Sequence, residues 1–457
     1  MRITNPASGE LIREVAEDTP DSVAEKAGQA RAAQKAWQKT PFEERHAAIA
    51  RFRSKVVEAT EKLAAILTDE VGKPLSQSKN ELAGLLPRID FFLEHTRAEL
   101  EEKSVFGGQG QALEERIGLE ALGVVANISA WNYPYFVGSN VFLPALLTGN
   151  TVLYKPSEFS TLTGLAIAEL LHDAGVPRNV FAPVIGGAGT GQALLEQAID
   201  GVFFTGSYAT GKRIAAAVAP RMLRLQLELG GKDPAYVADD VDVASTAAAV
   251  ADGAFYNAGQ SCCAVERIYV HERIWPAFIE EFVKTAAQFV VGDPRDAKTY
   301  IGPLARREAA LADLERQVAD ARDKGATIRL GGKRLARPGF FFEPTVVTDV
   351  DHSMAVMRDE SFGPIIGLMP VASDEAALEL MSDTEYGLTA ACYTKDRARA
   401  ERILSELDVG TAYWNCCDRV SPRLPWSGRR HSGIGSTLST YGIEAFLKPK
   451  AWHLKKA

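Results

Sequence analysis

Val202-Phe203-Phe204-Thr205-Gly206-Ser207-Tyr208-Ala209-Thr210-Gly211-Lys212-Arg213 runs from a short β-branched and aromatic segment through small residues into a helical pattern. The strand is expected over Val202–Thr205 and the helix over Gly211–Ala219. Small residues between them leave backbone N–H groups and the helix dipole free to face a pyrophosphate. The spacing Gly206-x-x-x-x-Gly211-Lys212 nearly fits a phosphate-cradling P-loop. Arg213, however, stands where that motif needs Ser or Thr to hold Mg²⁺, which disfavours an NTPase. An ordinary glycine-bearing strand-to-helix turn is the competing reading.

Working outward, the same alternation holds on both sides. Upstream come a strand at Thr151–Lys155, a helix at Leu162–His172 stopped by Gly175, a strand at Val180–Ile185 and a helix at Gly191–Ala198. Strands alternating with single helices imply right-handed crossovers and a parallel sheet, hence an α/β fold. After Gly230-Gly231 the alternation restarts with Ala235–Val237, Val243–Tyr256, Arg267–His271 and Ile274–Phe289. It continues through Glu308–Asp323, Thr345–Val347, Ile365–Val371 and Gly410–Trp414, which predicts a second α/β domain. The first hundred residues carry helical spacing in Val23–Trp37, Phe42–Val71 and Leu82–Leu100. Thr40-Pro41-Phe42-Glu43 reads as an N-cap, first-turn proline and capping-box glutamate, and Gly72 and Pro74 as the stop. Ala112–Leu119 and Leu122–Ile128 read as two strands joined by a tight connection.

The chain of 457 residues is long enough for two or three domains, and 46% apolar with 24% charged residues is ordinary for a globular protein. Its net charge of −8 argues against nonspecific binding to nucleic acid or acidic lipid. No apolar run reaches the roughly 18 residues that cross a bilayer. The N-terminus lacks a secretory apolar region, so a cytoplasmic location is expected by default. Five cysteines, Cys262, Cys263, Cys392, Cys416 and Cys417, form no secreted disulfide framework, and reduced thiols are expected. Histidines and cysteines never fall at metal-binding spacing, so no metal site is expected. No G-x-S-x-G elbow supports serine hydrolysis.

Gly259-Gln260-Ser261-Cys262-Cys263 places thiols in a loop between a predicted helix and strand. Most cysteines are small buried hydrophobes, and no histidine lies near in sequence to activate one. Further motifs bear on the choice: Trp131-Asn132-Tyr133-Pro134, Lys155-Pro156-Ser157-Glu158, Phe204-Thr205-Gly206-Ser207 and Leu227-Glu228-Leu229-Gly230-Gly231-Lys232. Glu360-Ser361-Phe362-Gly363-Pro364 and Pro425-Trp426-Ser427-Gly428 with Ser432-Gly433 complete the series. In this order, from the N-terminal helices to about Lys450, the chain resembles the aldehyde dehydrogenase superfamily.

The resemblance implies a Rossmann-like parallel-sheet cofactor domain, a second α/β catalytic domain and a small β-hairpin oligomerisation element. The expected boundaries are 1–102 with 122–229, 230–429, and 103–121 with 430–457. It implies NAD-dependent oxidation of an aldehyde to a carboxylate through a cysteine thiohemiacetal and thioester. Cys262 matches the nucleophile, Glu228 the base that activates water, and Asn132 with the Cys262 N–H the oxyanion donors. Lys155 and Glu158 match adenosine-ribose contacts, Ser207 a pyrophosphate contact, and Glu360 and Phe362 the nicotinamide side. Ile128 and Trp131 line the same cleft by analogy. A carboxylate at Glu158 would repel a 2′-phosphate, so NAD is expected, with NADP possible. A homodimer or homotetramer is expected. The alternatives are a CoA-acylating dehydrogenase, which Glu228 disfavours, and a noncatalytic relative, which the joint presence of Asn132, Glu228, Cys262 and Glu360 opposes.

Overall fold

The computed structural model describes residues 1–108 and 111–456. Positions 109 and 110 of the expected oligomerisation element, and residue 457, lie outside the described residues.

Two parallel sheets carry the molecule. The first runs, in spatial order, Gly433–Ile434, Arg224–Glu228, Gly201–Thr205, Val124–Ile128, Thr151–Lys155 and Phe181–Pro183, with only the short Gly433–Ile434 strand antiparallel. Its central strands are buried on both faces, so they read as unbroken apolar runs. The second sheet runs Thr327–Leu330, Thr345–Thr348, Ile365–Val371, Arg267–His271, Pro234–Val237, Thr389–Tyr393 and Thr411–Trp414, with only the edge strand Thr327–Leu330 antiparallel. A third, antiparallel sheet sets Leu113–Ala121 between Lys103–Phe106 and Leu447–Lys455. Among the described residues, no helix is long and apolar enough to cross a membrane.

Several local expectations change. The helix foreseen over Phe42–Val71 is two, Phe42–Glu58 and Thr60–Val71, broken at Ala59 where the backbone relaxes to φ −97°, ψ 6°. Thr40 ends the preceding helix Pro20–Lys39 rather than capping the next one, because Pro41 occupies the N-cap. Gly72 does stop the bundle in the left-handed region (φ 88°), and a Cβ there would also meet Pro303 at 2.5 Å. Leu113–Ala121 does not pair with Val124–Ile128; the Leu122-Gly123 connection carries the chain from one sheet to another. Its partner Leu447–Lys455 lies over three hundred residues away in sequence, beyond any local signal. Helix Ala188–Leu195 starts inside the glycine-dense turn, three residues before its expected start.

Candidate active site

The carboxyl ends of the first sheet converge on one cleft. Val124–Ile128 lies between Thr151–Lys155 and Gly201–Thr205, so strand order reverses beside it, the usual place for a dinucleotide in such sheets. Ile128 and Lys155 end two of these strands, Thr205-Gly206-Ser207 leaves the third, and Glu228 ends the fourth.

Ser207 caps the helix Tyr208–Val218 by accepting from the Thr210 N–H at 3.4 Å, and is exposed at the cleft. The two glycines of the P-loop-like spacing have packing reasons. A Cβ at Gly206 would meet the Phe204 ring at 2.4 Å, and one at Gly211 would meet Leu229 at 2.6 Å. Lys155 is buried, donates to Pro156 O at 3.3 Å and runs along Gly191 at the start of helix Ala188–Leu195. Burial pushes its ammonium pKa down, against the pull of nearby Glu158. Glu158 is exposed and accepts from Ser157 at 3.3 Å. The donor set fits a dinucleotide: an open helix N-terminus, a cation and an exposed carboxylate stand along one sheet edge.

The opposite wall is aromatic. Trp131 meets Phe362 edge to face at 5.4 Å and Phe159 at 6.2 Å. Phe362 is held at φ 46° because Glu266 accepts from the backbone N–H groups of Ser361 and Phe362, at 2.8 and 3.0 Å. Buried Lys232 balances Glu266 at 2.8 Å and also donates to Ser361 at 2.9 Å. Glu360 accepts from Gly231 N at 3.1 Å; burial, then repulsion from Glu266, raises its pKa. Gly230 passes so close that a Cβ would lie 2.1 Å from the Glu360 carboxylate.

Cys262 follows a kink. Asn257, Ala258 and Gly259 all adopt positive φ (54°, 57° and 69°), and a Gly259 Cβ would meet Gly363 O at 2.3 Å. Two non-glycine residues in this region cost roughly 1–3 kcal/mol each, so the surroundings must enforce the turn. They do: Asn257 N donates to Gln77 at 3.0 Å, and Gln260 accepts from Ala305 N at 3.0 Å. The Asn257 side chain joins the Asn132 carbonyl (3.3 Å) to the Gln260 carbonyl (3.1 Å), tying the two motif loops together.

Of the adjacent thiols, Cys262 is half-buried and Cys263 buried. Cys263 donates to Asp418 at 3.0 Å, and its pKa is held well up by its neighbour Cys262 and by burial, so it is the inert one. Asn132 is 3% exposed, yet its side-chain amide makes no hydrogen bond to the described residues. Glu228 accepts through Oε1 from Gln226 (2.8 Å) and Thr437 (2.9 Å), while its buried Oε2 has no partner. Burial pushes its pKa up to about 8 against the pull of Thr437, Gln226 and, more weakly, the Trp426 side chain. Gly206 N donates to Glu228 O at 3.0 Å, so the Ser207 turn and Glu228 share one sheet edge.

Gln77, Asn257, Glu266, Asp418 and Thr437 were not singled out from the sequence. Their roles arise from long-range contacts, and only Lys232 carried a signal, as the last residue of the Glu228 motif. Among the described residues, no group of three or more His, Cys, Asp or Glu is placed to hold a metal ion.

The reversal of strand order beside Val124–Ile128, with an open helix N-terminus after the next strand, defines a dinucleotide-binding type of α/β protein. The Aldehyde dehydrogenase family model matches residues 1–452, and the chain belongs to that family. It is 36% identical over 454 residues to the succinate-semialdehyde dehydrogenase [NADP(+)] of Deinococcus radiodurans, covering 98% of this chain and 93% of that protein. A crystal structure of an Escherichia coli NADP dependent enzyme superposes with TM-score 0.96 at 32% identity, over 100% of this chain and 94% of the other. Betaine aldehyde dehydrogenase from Staphylococcus aureus, in complex with NAD+, superposes with TM-score 0.95 at 31% identity, over 100% and 92%. The fold expectation is borne out, and the protein is an oxidoreductase acting on aldehydes.

Proposed function

We propose that Cys262 attacks the aldehyde carbonyl and that this enzyme releases the acyl group to water as a carboxylate. The observation that carries this reading is a pair of polar groups in buried residues left without hydrogen-bond partners among the described residues, the Asn132 amide, whose loop is tied to that of Cys262, and Glu228 Oε2. Attack converts the carbonyl to a thiohemiacetal whose oxyanion needs donors; the Asn132 amide and the Cys262 N–H supply them. Removing one such donor from a water-poor site costs about 3 to 4 kcal/mol of transition-state stabilisation. NAD, when bound, supplies the hydride acceptor. Glu228 Oε2 then takes a proton from the water that cleaves the Cys262 thioester, while Gln226 and Thr437 hold Oε1.

Lys155 and Glu158 serve the adenosine ribose, Ser207 the pyrophosphate, and Glu360 with Phe362, Ile128 and Trp131 the nicotinamide side. The exposed Glu158 carboxylate favours NAD over NADP by charge repulsion of a 2′-phosphate. The two large sheets support domains 1–102 with 122–229 and 230–429, and the antiparallel sheet supports joining 103–121 to the end of 430–457, through Leu447–Lys455, while Gly433–Ile434 pairs with the first sheet. Unpaired thiols at all five cysteines accord with a reducing, cytoplasmic setting.

Purified protein should form NADH from an aldehyde panel, and should do so more efficiently with NAD than with NADP; no product with any aldehyde would defeat the reading. The outer strands of the antiparallel sheet expose Val105 (56%), Phe106 (59%), Trp452 (37%) and Leu454 (39%) beside open backbone edges. Such a surface pairs with a second subunit. Light scattering should give a dimer or tetramer, and a monomer at micromolar concentration would contradict the assignment.

A further inference from the structure

We propose that Arg88 binds an anionic group on the substrate, at the end remote from the aldehyde, so that the preferred substrates are aldehydes bearing a terminal carboxylate or phosphate. The inference rests on the dehydrogenase reading above and deepens it to a substrate class.

Arg88 lies on helix Leu75–Glu99 and is only 4% exposed. Its Nη1 donates to Gly84 O at 3.1 Å, a carbonyl of its own helix, while its buried Nε has no partner. No carboxylate approaches it within the 4.0 Å of an ion pair among the described residues. Four other buried cations are better matched: Lys73 by Glu81, Lys232 by Glu266, and Arg45 and Arg267 each by several backbone carbonyls. An unmatched buried guanidinium is costly to keep, and burial pushes its pKa down to about 10.

The site around it is built. Gly84 lets Phe136 come so close that a Cβ would meet the ring at 2.8 Å. The guanidinium lies over that ring, 3.7 Å from its centroid. Phe136 stacks on Tyr133 at 5.8 Å, and Tyr133 adjoins Asn132 in sequence. Glu81, beyond ion-pair distance, and then Cys263, next to Cys262, are near enough to act on the Arg88 charge. The aromatic stack therefore links the guanidinium to the thiol loop. The nearby acidic groups are engaged: Glu81 accepts from Lys73 and from Tyr135 N, and Asp418 from Ser261 and Cys263. A fork of N–H donors suits a carboxylate or phosphate, and a long apolar body suits the stack.

The test measures kcat/KM with succinate semialdehyde, glyceraldehyde 3-phosphate, butanal and 4-aminobutanal for the parent, Arg88→Met and Arg88→Lys. The parent should favour one of the two anionic aldehydes over butanal by at least about tenfold, and which one separates carboxylate from phosphate. Arg88→Met should lose about 10²-fold on that aldehyde and less than about threefold on butanal, with partial recovery in Arg88→Lys. Equal loss on butanal, or a parent preference for butanal or the cationic aldehyde, would overturn the proposal. If no aldehyde is oxidised, the dehydrogenase reading falls, and calorimetric titration with succinate and with inorganic phosphate still decides this one. Binding of either by the parent but not by Arg88→Met upholds it. No binding by the parent, or equal binding by a folded Arg88→Met or Arg88→Lys, rejects it.

Discussion

Cys262→Ala protein should form no NADH from any aldehyde while still binding NAD and melting within a few degrees of the parent. Removing the nucleophile of a covalent mechanism typically lowers turnover by roughly 10⁴- to 10⁶-fold, because no other group makes the intermediate. The turn beneath Cys262 is enforced by Asn257, Gln77 and Ala305, none of which touches the thiol through its hydrogen bonds. The half-buried sulfur contributes little packing, so stability should change by no more than about 1 kcal/mol. Cys263→Ala is the informative control: it loses a buried contact to Asp418 and some stability but keeps turnover. Activity within about tenfold of the parent in Cys262→Ala would transfer the chemistry away from this thiol.

Glu228→Gln should separate the two halves of the reaction. Oxidation does not need the base, so a rapid burst of NADH equal to the number of sites is expected. Steady turnover should then fall by about 10²- to 10⁴-fold, the usual worth of general base catalysis. The glutamine keeps an Oε1 acceptor for Gln226 and Thr437, so the strand end stays in place. Parent deacylation should rise with pH through about 8 as the carboxyl ionises, and the variant should lack that rise. Stability moves the other way. The folded-state pKa of about 8 exceeds the ordinary 4.5, so folded protein binds this proton more tightly than unfolded chain does. Stability is unaffected below the unfolded value, declines as pH rises from 4.5 towards 8, and levels off above. Glu228→Gln removes that decline and should melt at or above the parent at alkaline pH. A variant with full steady turnover, or one with no burst, would remove Glu228 from this role.

Much of the fold was legible because its units are local. Val202–Thr205 leading into a capped helix, and the repeats of that pattern, survive with shifts of a few residues at their ends. Elements without a period escaped. The helix Pro134–Leu147 is buried nearly all round, and the strand Thr389–Tyr393 on both faces, so neither carries the polar alternation that a single sequence displays. The strand Leu113–Ala121 is legible as a strand and its grouping with the C-terminal segment comes from the family resemblance, but its register on Leu447–Lys455 depends on chain closure.

The candidate site divides in the same way. Sequence alone determined the order of strand and helix units, the family, and the motif positions of Asn132, Glu228 and Cys262, because turn residues and short spacings are local properties. Tertiary structure decided what each group can do. It brought the Asn132 and Cys262 loops together through Asn257, left Glu228 Oε2 open, silenced Cys263 on Asp418, and left the Arg88 Nε without a hydrogen-bond partner. Those outcomes depend on burial and on partners tens to hundreds of residues away, and the desolvation that sets a charge's behaviour exists only once the chain has closed around it.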